Sequence, residues 1–242
     1  MGWKVIRVDF TGKPSVDCAF SQGQGHKKLT NGIAYVVVDA LGNERFAGPT
    51  CVKKVDNPED IRLVPDYTKG CFLQGEPRGS SKHVRTQQTG SQNSTSKSPT
   101  DESDLERAVK YLTLRCELLA GYKKATWPQM SKALEKYRQT NELTQADIRK
   151  ALVAANGSHP DYAHLSMARL LPFYTVYRLL QSLDNAKIEK VASDKNKRDA
   201  LFVELYKDTF LSKDSLDTLN QLLDTYGFKK LRVRRNLFRL AD

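Results

Sequence analysis

The sequence predicts an α+β fold, in which a small antiparallel β module is followed by an all-α helical bundle. Three observations predict it. Aromatic and β-branched runs separated by turn signals are confined to residues 1–75. From Ser103 onward the apolar residues recur at helical spacing. Between the two, residues 76–104 hold one strongly apolar side chain, Val84, and cannot bury enough surface to offset their own ordering. The domain plan is therefore a β module at 1–75, a polar linker or long loop at 76–104, and a bundle at 105–242.

In the first part, residues 3–10 read as a strand that stops at Gly12-Lys13-Pro14. Residues 33–38, Ile-Ala-Tyr-Val-Val-Val, form the strongest strand pattern in the chain, and residues 44–47 return as its hairpin partner across a turn containing Gly42. A module of this size is marginal alone and calls for a metal, a partner or packing against the second part.

In the second part, Ser103-Asp104-Leu105-Glu106 is a capping box, and Leu105, Ala108, Val109, Leu112, Cys116 and Leu119 follow on one helical face. Thr126-Trp127-Pro128-Gln129 opens a second helix with proline in its first turn. Thr144-Gln145-Ala146-Asp147 opens a third, which Asn156-Gly157 ends. Residues 162–183 form a long apolar helix that Pro172 is expected to kink or split. Residues 199–210 and 215–226 supply two more, the last closed by Gly227. Residues 144–171 fit a helix-turn-helix poorly. The connection 156–161 is longer than the usual turn, and Arg169 is the single arginine or lysine offered by 163–171, so two plain bundle helices are expected.

Charge carries the main functional signal. The chain holds 39 Lys+Arg against 28 Asp+Glu, a net charge of +11, and a polyanionic partner relieves that self-repulsion. Most of the excess lies after residue 104, and residues 227–242 contribute six cations against Asp242 alone. In that segment Leu231 and Val233 alternate with Lys230, Arg232 and Arg234, so an extended backbone would anchor one side and present cations on the other. Arginine suits phosphate because its planar fork pairs bidentately with two oxygens. The candidate phosphate contacts are therefore Lys229, Lys230, Arg232, Arg234, Arg235 and Arg239, with the pairs Lys27-Lys28, Lys53-Lys54 and Lys123-Lys124 as lesser candidates. The bland alternative is a solvated basic tail and solubility lysines.

No apolar run approaches the roughly 20 residues of a membrane span, and no signal core opens the chain, so a cytoplasmic protein with no membrane partner is expected. Cys18, His26, Cys51 and Cys71 are the candidate metal ligands, with zinc as the candidate cofactor. Their spacing lacks any Cys-x-x-Cys, and buried thiols are the alternative. Cys116 reads as core. Gly-x-Ser-x-Gly, Walker, Rossmann and His-Glu-x-x-His patterns are all missing, and His26 beside the lysines is too little for acid–base chemistry, so no enzyme is expected.

Gly48-Pro49-Thr50-Cys51-Val52-Lys53-Lys54, following a strand–turn–strand, resembles the second knuckle of the zinc-ribbon-like domains of phage and plasmid proteins. There a Cys-x-x-Cys precedes the hairpin and a Gly-x-x-Cys follows it; here the first half is missing. A zinc-ribbon-like module, a polar linker and a basic bundle together are similar to the compact large subunit of type IV CRISPR effector complexes. The resemblance covers the chain as architecture and residues 48–54 as motif. It implies a non-catalytic subunit that holds the 5′ end of a guide RNA, meets target DNA beside a short duplex motif, and contacts other subunits. Lys53 and Lys54 would then lie near nucleic acid, with specificity coming from base pairing. Alternatives from the residues alone are a stand-alone plasmid or phage DNA-binding protein and an adaptor for an acidic protein.

Overall fold

The computed structural model describes residues 2–21, 28–58, 61, 64–68, 103–119, 128–158, 160–186, 188–228 and 230–238. Residues 76–102 lie outside the described residues. The fold is α+β, with a three-stranded antiparallel sheet of order β1-β2-β3 followed by six helices.

The strands are β1 (Lys4–Phe10), β2 (Ile33–Val38) and β3 (Glu44–Ala47). One feature of β1 decides what the sheet does. Val5 pairs with Val37 and Arg7 with Val36, so Ile6 is an extra residue, a β-bulge. Side chains alternate along a strand, and without that bulge Arg7 and Asp9 would share a face with Val5. With it, they share the opposite face with Val36 and Glu44, toward the helices. Val5 and Val37 meanwhile join Cys18, Ala47, Cys51, Val52 and Val55 in a small core on the other side.

The free edge of β1 is covered. Val8 N–H donates to the Pro65 carbonyl at 2.9 Å, and Tyr67 N–H donates to the Val8 carbonyl at 3.2 Å. Tyr67 is fully buried, its hydroxyl donating to the Lys110 carbonyl at 3.2 Å and its ring edge-on to Tyr174 at 6.0 Å.

The helices are α1 (Asp104–Thr113), α2 (Pro128–Thr140), α3 (Gln145–Ala155), α4 (Met167–Asn185), α5 (Ala192–Asp208) and α6 (Lys213–Thr225). The capping box on α1 forms as the sequence predicts. Glu106 N–H donates to Ser103 Oγ at 3.2 Å, and Ser103 N–H to Glu106 Oε2 at 2.7 Å. Pro128 opens α2, and Thr144 caps α3.

Three expectations need correction. Helix α1 continues as a π-turn over Leu114–Leu118, which shifts the inward face. Leu114 and Arg115 become buried, Leu105 is exposed, and Cys116 is only half-buried instead of core. Pro172 does not split its helix, since α4 is one element from Met167 to Asn185. The proline sits in the second turn, so only the carbonyl of exposed Ala168 loses its intrahelical partner. Helix α5 begins at Ala192, seven residues before the expected start, because its polar first turns carry no apolar period. They are tied down by Tyr226, whose hydroxyl donates to Asp194 at 3.1 Å.

Part of the first segment packs into the helical core, while the small core of Val5, Cys18, Val37 and Cys51 stays separate. Phe10 and Tyr67 belong to the same core as Tyr111, Phe173, Leu179 and Leu223. Asp9, 2% exposed, accepts from Tyr174 Oη at 2.8 and 2.9 Å, from Phe10 N–H at 2.8 Å and from Arg7 Nε at 3.2 Å. Asn185 on α4 donates to the Gly12 carbonyl at 3.0 Å.

Candidate nucleic-acid interface

The C-terminal segment lies along α6, running in the opposite direction. Over residues 230–233 the expected alternation holds, with Leu231 and Val233 buried and Lys230 and Arg232 exposed, but it stops at Arg234, because residues 235–238 form a turn that exposes Arg235 and buries Leu237. Arg234 is half-buried.

What holds the segment is a set of α6 side chains that sequence reasoning missed. Asp217, Asn220 and Asp224 are spaced i, i+3 and i+7 and so share one face. Asn220 clamps the Val233 peptide from both sides, accepting its N–H at 2.8 Å and donating to its carbonyl at 3.0 Å. Arg235 sets its fork on Asp217, at 2.8 and 2.5 Å, and Arg232 reaches Asp224 at 3.0 Å. The hydrogen bonds from Arg235, with its charge, hold the Asp217 carboxyl below the ordinary carboxylate range. The signal was present in the sequence as an acid–amide–acid spacing facing a basic run, but neither half names the other.

These pairs leave the guanidinium groups in reach of solvent. Arg232 is 52% and Arg235 72% exposed, and solvent screens ion pairs so placed, which leaves them weak. A phosphate can take over such a fork at little cost.

The segment also closes onto the β module. Lys230 Nζ donates to Asn31 Oδ1 at 2.8 Å, and Leu231 packs where a Cβ on Gly32 would stand. Gly32 has φ +72°, so both its backbone and its neighbour demand glycine. Lys28, three residues before Asn31 in the chain, is exposed and forms a long ion pair with Asp17 at 3.8 Å. Residues near the two ends of the sequence, Asn31-Gly32 and Lys230-Leu231, thus meet at one seam.

Lys53 and Lys54 sit elsewhere, on a 3₁₀ turn (Cys51–Lys54) that follows β3. Cys51 and Val52 point inward, and the two lysines outward. Cys51 meets Cys18; both are buried, and burial, then the Cys18 thiol, push the Cys51 thiol up so that it holds its proton at neutral pH. The structure therefore brings together two of the four candidate ligands. His26 and Cys71 lie outside the described residues, as do Lys27, Lys123, Lys124, Lys229 and Arg239.

Among the described residues no group of three or more potential ligands gathers as a metal site, and no helix is long and apolar enough to cross a membrane. Compared with family models, with curated proteins and with solved structures, the chain matches none.

Proposed function

We propose that this chain is a non-catalytic nucleic-acid-binding protein whose cations contact phosphate. The observation that carries the reading is the C-terminal segment, where Leu231, Val233 and Leu237 anchor the chain while Lys230, Arg232 and Arg235 are exposed. The specific form proposed is a subunit of an RNA-guided, CRISPR-type effector that contacts the 5′ end of a guide RNA, target DNA and neighbouring subunits. Its support is the likeness of residues 48–54 to a zinc-ribbon knuckle, together with the meeting of Cys18 and Cys51 and the outward Lys53 and Lys54. Zinc on that thiol pair belongs to the same proposal.

The test is purification with the genomic neighbours, absorbance at 260 and 280 nm, sizing of any bound nucleic acid, and zinc content. One RNA of defined length supports the effector subunit. Salt-dependent binding of duplex DNA by the pure chain supports a stand-alone DNA-binding protein of plasmid or phage type. In either case Lys230→Gln, Arg232→Gln and Arg235→Gln together should lower the slope of log K against log salt by up to about 3. A nucleic-acid-free preparation that binds neither strand nor duplex at any salt would overturn the reading in favour of an adaptor for an acidic protein.

A further inference from the structure

The chain turns between α2 and α3 in four residues, 141–144. Asn141 ends α2 in the left-handed region, with φ +59° and its N–H donating to the Tyr137 carbonyl at 2.7 Å. Thr144 then starts α3, its Oγ1 accepting from Asp147 N–H at 3.1 Å. The two helices touch each other less than either touches α1, and α3 packs chiefly on α1. Helices of 13 and 11 residues laid antiparallel would meet along their whole length, so these diverge from the turn. A short turn, divergent helices and a third helix packed across both make the plan of a helix-turn-helix. Its second helix is α3, paired with the helix upstream of it and not with residues 163–171.

The outward face of α3 has the composition that plan requires. Gln145, Ala146, Arg149, Lys150 and Val153 are all exposed, in rows 145/149/153 and 146/150 of one face, while Ile148, Ala151, Ala154 and Ala155 are buried. The single carboxylate of α3, Asp147, is occupied at the cap, where it accepts from Thr144 Oγ1 at 2.6 Å. On α2, Lys132 and Lys136 are exposed at i and i+4. Among the described residues no carboxylate forms an ion pair with Lys132, Lys136, Arg149 or Lys150.

We propose that α2 and α3 form a helix-turn-helix and that α3 enters the major groove of duplex DNA. Arg149 is placed to fork onto guanine O6 and N7, Gln145 onto adenine N6 and N7, and Ala146 and Val153 against thymine methyl groups. Lys132, Lys136 and Lys150 meet the flanking phosphates. Charge complementarity selects the polyanion, since the outward face of α3 carries Arg149, Lys150 and an amide with its one carboxylate held at the cap, and on α2 Lys132 and Lys136 outnumber the exposed Glu135 between them. Groove dimensions select DNA: an α-helix about 10–12 Å across fits the B-form major groove of about 12 Å, whereas the deep, narrow groove of A-form RNA excludes it. The proposal rests on the nucleic-acid reading above for the class of partner, and adds the element, the groove and the residues.

The experiment is selection from a randomised DNA duplex pool with the full chain, followed by affinities of the selected site and its single-base variants. The expected result is one enriched short motif. Arg149→Lys, which keeps the charge and loses the fork, should flatten discrimination at one guanine by about 5- to 150-fold while leaving the salt slope unchanged. Gln145→Ala should do the same at one adenine. Both residues are exposed, so circular dichroism and the Tm should stay as in the parent. The Lys230, Arg232 and Arg235 glutamine variant should weaken all duplexes alike without changing the motif. Salt-dependent binding without any motif, or a motif indifferent to Arg149→Lys and Gln145→Ala, overturns the helix-turn-helix and leaves the nucleic-acid reading standing. Loss of an acidic protein partner, rather than of DNA, on Arg149→Lys also overturns it. Absence of salt-dependent binding to any nucleic acid overturns both readings.

Discussion

Asp9 shows how one side chain joins the sheet to the helices. Its carboxylate is buried and accepts from three donors, Arg7 Nε, Phe10 N–H and the Tyr174 hydroxyl, whose single proton lies between the two carboxylate oxygens. That hydroxyl is itself pushed up by burial and then by the charge of Asp9, so it stays protonated and available as donor. Tyr174→Phe should cost about 1–3 kcal/mol, because it leaves a buried carboxylate short of a donor, and urea unfolding measures it. Nothing in the sequence around Asp9 announces this, since its partner lies 165 residues away. Glu44 gives the pH-dependent counterpart. Hydrogen bonds from Arg7, at 2.7 and 2.6 Å, hold its carboxyl below the ordinary range. A depressed folded pKa contributes stability above the unfolded value, near 4.3, and loses it as pH falls through the folded one. Glu44 is 47% exposed, so the contribution is at most about 1 kcal/mol. Parent and Glu44→Gln should therefore differ in urea midpoint at pH 7 and converge by about pH 3.

At the scale of elements, local signals were legible wherever they were self-contained. The bounds of β2 and β3, the capping box of α1, the proline at the head of α2 and the close of α3 at Gly157 all follow from neighbouring residues. What escaped is what depends on a distant partner: the bulge at Ile6, the π-turn after α1, the early start of α5, and the face of α6 that receives the basic segment. The candidate interface divides the same way. Its cations and their alternation were readable, while the carboxylates that hold Arg232 and Arg235 were not. The docking of that segment gives a test of its own. Gly32→Ala forces a Cβ to 2.5 Å from Leu231 Cδ1 at φ +72°. It should destabilise by at least about 1 kcal/mol and render residues 230–238 sensitive to protease, which limited proteolysis followed by mass spectrometry reads.

For the molecule as a whole, composition foretold two structural regimes, and the packing joins them through Phe10, Tyr67, Asp9 and Asn185. A shared core implies shared melting. In a Trp127→Phe variant, Trp3 fluorescence, which then reports the small core beside the sheet, and helical circular dichroism should give coincident urea transitions; two separated midpoints would show that the halves unfold independently. The seam between Asn31 and Lys230 has one more consequence, which concerns synthesis. The two residues are 199 apart, so at about 5–20 residues per second the strand-connecting loop waits roughly 10–40 s for the segment that completes it. Until then Ile33 and its neighbours lack Leu231 and Val233 against them, and the nascent chain carries that gap for most of its time on the ribosome. Messages that stop early, or translation that stalls before residue 230, would release a protein whose sheet is made but never closed.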